Sequence, residues 1–108
     1  MHEVPTVQGF LDEEGRVRVW CRWCVEWHRH TVADPGPHPL GRGVRIMGHC
    51  HAKDSPYLDG YRVLTSARPW RAVRGSVREA SRAQARAIER SLITPRIAEL
   101  RTQIVSMQ

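Results

Sequence analysis

Three cysteines constrain this chain more than any other feature: Cys21 and Cys24 are separated by two residues, and Cys50 sits between His49 and His51. An odd number of thiols does not close an even disulfide framework. A C-x2-C pair answered by a second cluster of sulfur and nitrogen donors is how a short chain commonly builds a zinc site. Such an ion adds folding free energy directly, which matters for a chain of 108 residues with few large apolar side chains.

Periodicity supplies the elements around these ligands. Residues 1–15 read as an entry segment with Pro5 and Gly9, closed by the turn Asp12-Glu13-Glu14-Gly15. Arg16-Val17-Arg18-Val19-Trp20 alternates polar and apolar as a half-buried strand does, and Val25 to Val32 resumes as a second strand beyond the Cys21–Cys24 knuckle. The Pro-rich run 34–39 is a loop, Gly43–Met47 a third strand and Gly60–Thr65 a fourth. From Ser76 the pattern is helical: Ser76 and Glu79 suit a capping box, and Thr94 with Pro95 suits a second helix start. Ile97, Leu100, Ile104 and Met107 then form one apolar stripe. The expected fold is therefore α+β, a small zinc-stapled antiparallel β-sheet (zinc-ribbon-like) followed by a C-terminal helix or helical hairpin. Its expected division is a β module at 1–69 and a basic helical arm at 70–108.

If the first three strands form a meander, the third ends beside Cys24. Cys21, Cys24 and Cys50 are then ligands, with His49 or His51 as the fourth. His28 and His30 lie roughly 13–20 Å beyond Cys24 along an extended strand, so either serves only if the chain curls after Cys24. Four protein ligands make a closed, structural site.

The run Trp20-Cys21-x2-Cys24-x2-Trp27-His28-x-His30, then His49-Cys50, Ser55-Pro56-Tyr57 and Gly60-Tyr61, resembles a group of small uncharacterised proteins of actinobacteria and their phages and mobile elements. The resemblance covers about residues 17–64. It implies a zinc-ribbon-like module and brings no activity with it. Members of that group usually carry Gly after the His-x-His pair, where this chain has Thr31 and a Pro-rich loop. The orientation of His28 and His30 is thus open.

The net charge of +6 is unevenly placed. Residues 1–70 hold nine Lys and Arg against eight acids, whereas residues 71–108 hold eight Arg against three. Arg71, Arg74, Arg78, Arg82, Arg86 and Arg90 recur every three or four residues, a row that can follow a phosphate backbone. Trp23, inside the knuckle, is a candidate for base stacking. The leading expectation is a regulator that binds nucleic acid or a nucleic-acid-processing complex. The alternative is a protein-binding adapter or inhibitor with no direct nucleic-acid contact, and the 97–107 stripe could form a homodimer.

An enzyme is not expected. A metal nuclease using His28, His30 or His38 would need a carboxylate base, and no spacing singles out Glu26, Asp34 or Asp54. No apolar run approaches the roughly 18 residues that span a bilayer. The first ten residues lack the features of a signal peptide, so the expected location is cytoplasmic.

Overall fold

A strand carries alternate side chains on opposite faces, and the alternating segments of this chain do form strands. The computed structural model describes residues 4–31, 44–46 and 50–106. Its strands are β1 (Thr6–Leu11), β2 (Val17–Cys21), β3 (Glu26–His30), β4 (Val44–Ile46) and β5 (Tyr61–Thr65). They form one sheet in the order β3-β2-β1-β5-β4. With the C-terminal helices this is an α+β fold.

The sheet departs from the expected antiparallel meander in two ways. β1 lies in the entry segment, to which the sequence reading gives no strand, and it runs parallel to β5, so the sheet is mixed. The third strand of the sequence reading, β4, pairs with β5 at the far edge from β3. β1 explains both differences. It takes the centre by pairing antiparallel with β2 and parallel with β5, leaving β4 only the outer edge of β5. The acidic run after β1 is the expected turn. The Asp12 carboxylate accepts the N–H groups of Glu14 and Arg16, each at 2.9 Å, and Gly15 supplies a φ of 77°.

Gly9 disguised β1, since glycine inside a strand weakens it. Here it sits opposite Val19 on one side and Thr65 on the other. A Cβ at this position would overlap the methyl groups of Val17 and Val63. The missing side chain lets the two valines close over the strand, where they join Val19 and Tyr61 in a buried cluster. On the opposite face Phe10, Trp27 and Val73 form a second cluster with Trp20 and Trp70 beside it. Trp27 meets Phe10, Trp20 and Trp70 edge-on, with centroids 6.0, 5.4 and 6.1 Å away.

The C-terminal segment is three short helices, where the sequence reading has a first helix from Ser76 and a second from Thr94-Pro95. Helix α1 (Trp70–Val73) runs into a 3-10 turn at Arg74–Ser76, and α2 (Arg82–Glu89) and α3 (Pro95–Leu100) follow. The Ser76–Glu79 capping box does not form. Ser76 Oγ donates to the Val73 carbonyl at 2.6 Å, and the Glu79 carboxylate accepts the Trp27 N–H at 3.1 Å. The N–H of Ala80 also donates to the Val25 carbonyl at 2.8 Å. Backbone groups at the start of the edge strand β3 need partners, and they take them from residues 79–80, which stay non-helical. The box shifts to Ser81 and Gln84, and α2 begins there. The second start is as read: Thr94 caps α3, accepting the Ile97 N–H at 3.2 Å, with Pro95 in the first turn.

Gly9→Ala is expected to destabilise the protein by about 1–3 kcal/mol, the usual range for overpacking a filled core. Urea denaturation of the purified variant would measure it. An unchanged midpoint would mean that the two valines can move aside.

Candidate metal centre

The Cys21–Cys24 segment is itself the turn of a hairpin. β2 ends at Cys21, residues 22–25 turn, and Val25 takes a left-handed φ of 55° that reverses the chain. β3 then returns with Glu26 opposite Cys21 and His28 opposite Val19. His28 becomes the diagonal neighbour of Cys21 on the same face, within reach of its side chain. The distance expected along an extended strand does not apply, because the chain curls after Cys24 as the competing placement required.

Cys21, Cys24, His28 and Cys50 bring four ligand atoms within 4.8 Å of one another and could hold a metal ion. Cys50 Sγ lies 3.6 Å from Cys21 Sγ and 3.5 Å from His28 Nε2. A tetrahedral ion with sulfur at about 2.3 Å and nitrogen at about 2.0–2.1 Å has S–S and S–N edges of about 3.8 and 3.6 Å. These two separations match the edges of such an ion's coordination. Cys21, Cys24 and His28 are buried, and Cys50 is half-buried.

Two of the thiols are shifted in opposite directions. Hydrogen bonds from Cys21, Cys24 and Ser55 hold the Cys50 thiol far below its ordinary range, whereas the bonds to Cys24 and Cys50, together with burial, push Cys21 up. Negative charge on one sulfur therefore opposes negative charge on the next. A bound cation removes that opposition, since thiolates are the metal-binding form. Two donors already suit sulfur that bears charge: the Cys24 N–H points at Cys21 Sγ at 3.4 Å, and Ser55 Oγ donates to Cys50 Sγ at 3.2 Å.

Outside this set, Glu26 Oε1 faces His28 Nδ1 at 3.6 Å. That is an electrostatic contact longer than a hydrogen bond, on the ring nitrogen that the thiolates leave free. Carboxylates so placed orient metal-binding imidazoles. Burial pushes the Glu26 carboxyl up, against the pull of His28 and His51.

The helices lock the site from outside. Ile88, Ile97 and Leu100 share a core with Cys21, Cys24, Val25 and Ala52. Arg101, next after α3, makes a bidentate pair with Asp54 at 2.6 and 3.1 Å, which ties the helix end to the segment carrying Cys50. That hydrogen bond holds the Asp54 carboxyl below its ordinary range. The Arg101 and Arg22 guanidiniums lie 5.5 and 5.1 Å from the Trp23 ring centroid, so the indole is engaged within the fold.

The structure thus unites Cys21, Cys24 and Cys50 and adds His28. His49 lies outside the described residues. His30 Nε2 is instead hydrogen-bonded to the Tyr61 hydroxyl, and His51 faces Glu26 at 3.4 Å. The sequence signal for His28 was the hairpin itself: a four-residue knuckle between two alternating strands folds the second strand back onto the first. The chain matches no family model, no curated protein and no solved structure.

Elemental mass spectrometry of the purified protein should find about one tightly held metal ion per chain. His28→Ala should lose most of that ion, whereas His30→Ala should retain it. Equal retention in the two variants would exclude His28 as a ligand. Removing the ion with a strong chelator should abolish the sheet signal in circular dichroism, and a metal-free chain that stays folded would contradict the stapling role.

Proposed function

We propose that this chain is a small cytoplasmic zinc-binding protein that binds nucleic acid, or a nucleic-acid-processing complex, through its basic helical surface and acts there as a regulator. Three thiolates and an imidazole suit zinc among the available ions, and four protein ligands leave it a structural role. Chemistry at the metal is not part of this reading. Among the described residues no helix is long and apolar enough to cross a membrane.

The observation that carries the reading is the outer face of α2. Ile88 is its buried residue. Arg82 and Arg86 lie about 120° and 160° around the helix from Ile88, so they point away from the core, and Arg90 follows at its C-cap. All three are exposed, and none takes part in an ion pair formed among the described residues. Their spacing of about 6 Å along the axis presents unbalanced charge to a polyanion. The other three arginines of the row are exposed as well, but they are not on this helix. Arg71 belongs to α1, Arg74 to the 3-10 turn beside the Trp70 ring, and Arg78 to the non-helical stretch. The six therefore do not lie on a single helix.

A second reading, the protein-binding adapter, draws on the turn after α2. Leu92 and Ile93 are 60% and 37% exposed there, beside Ser91 at a left-handed φ of 61°. The homodimer through 97–107 has less support, because Ile97 and Leu100 are buried in the chain's own core and leave Ile104 as the exposed member. Met107 lies outside the described residues.

Fluorescence anisotropy with labelled duplex and single-stranded DNA and RNA at about 50 mM salt would test the leading reading, and affinity should fall steeply as salt rises. Changing Arg82, Arg86 and Arg90 together to Gln should lower the slope of log K against log salt by roughly 2–3. No binding to any strand would overturn it. Loss of a captured host protein in Leu92→Asp would then favour the adapter.

A further inference from the structure

Glu26 and His51 lie beside the Cys3His cluster without belonging to it. With Cys24 they form a second group whose ligand atoms are all within 4.8 Å of one another. Cys24 is common to both groups, and a thiolate has lone pairs enough to bridge two ions. The His51 Nδ1 to Glu26 Oε1 separation of 3.4 Å matches the edge, about 3.3–3.4 Å, of a tetrahedron with nitrogen and oxygen at 2.0–2.1 Å. His51 Nε2 is buried with no hydrogen-bond partner, so no hydrogen bond there commits the ring to another role.

Charge favours a second cation. Three thiolates and the Glu26 carboxylate around one divalent ion leave two negative charges uncompensated within the cluster. Those charges sit where burial weakens solvent screening, since the side chains of Glu26 and His51 are 34% and 26% exposed. That residual exposure also leaves an approach from solvent. Three protein ligands with one open position is the coordination of an ion that can accept water or an anion, in contrast to the closed site next to it.

We infer that Cys24, Glu26 and His51 bind a second divalent ion of the zinc class, bridged to the first through the Cys24 sulfur and open to an exogenous oxygen ligand. This rests on the Cys3His site being filled, and the two have separable failures. Native mass spectrometry of the holoprotein, titrated with zinc, should show a second ion binding more weakly than the first. His51→Ala should weaken that second event at least tenfold and leave the first ion in place. Glu26→Gln should weaken it as well, which guards against an effect peculiar to the His51 variant. A wild-type chain that stays at one ion under excess zinc would overturn this inference alone, as would a second event equally strong in His51→Ala. A chain that binds no ion would overturn the Cys3His site and this one with it.

Discussion

Three thiols and an imidazole drawn into one partly buried cluster form the constraint on which the rest of this structure depends. Bringing Cys21, Cys24 and Cys50 together sets their sulfurs against each other, since charge on one resists charge on the next. A cation would relieve that opposition, and the Cys21–Cys50 and Cys50–His28 separations are ones that a tetrahedral ion spans. The energetic role of such an ion extends beyond the site. The same cluster contains Ile88, Ile97 and Leu100, so the helices pack on the knuckle that the ion would hold rigid. Arg101 and Asp54 then fasten the helical end to the Cys50 segment.

A division of labour follows between the two ends of the α-helical surface. Ile88, Ile97 and Leu100 pack against the candidate metal cluster. The exposed residues of α2 include Arg82 and Arg86, which with Arg90 at its C-cap take part in no ion pair formed among the described residues, and these carry the functional proposal. The candidate metal cluster and the exposed arginines lie on opposite sides of α2, whose Ile88 packs in the core with Cys21 and Cys24. A ligand gripped by Arg82, Arg86 and Arg90 would meet a surface whose backbone is already ordered, which lowers the entropic cost of binding.

Much of the local structure could be read from residue patterns. The alternation in 16–20 and 25–32 marked β2 and β3, and Thr94-Pro95 marked the start of α3. β1 could not be read so, because Gly9 is unfavourable in a strand taken alone and becomes useful only when Val17 and Val63 converge on it. Nor could the failure of the capping box expected at Ser76. Its Glu79 is diverted to the Trp27 N–H, a contact across more than fifty residues that no local pattern encodes. The site was legible to the same depth. The cysteines declared themselves by rarity and spacing, whereas the sequence reading prefers His49 or His51 as the fourth ligand over His28 or His30, and the β2–β3 register brings His28 to the cluster.

By itself, then, the amino-acid sequence determined the chemistry available: soft ligands in two clusters, strands beside them, and positive charge concentrated beyond residue 70. These follow from composition and short-range periodicity, which act within a few residues. Tertiary structure decided which histidine completes the cluster, where β1 and β4 lie in the sheet, and which arginines face outward together. Those outcomes depend on strand register and on the burial of one face against another. They are set by contacts between residues far apart in the chain, where local propensity gives way to packing and to the need of every buried donor for a partner.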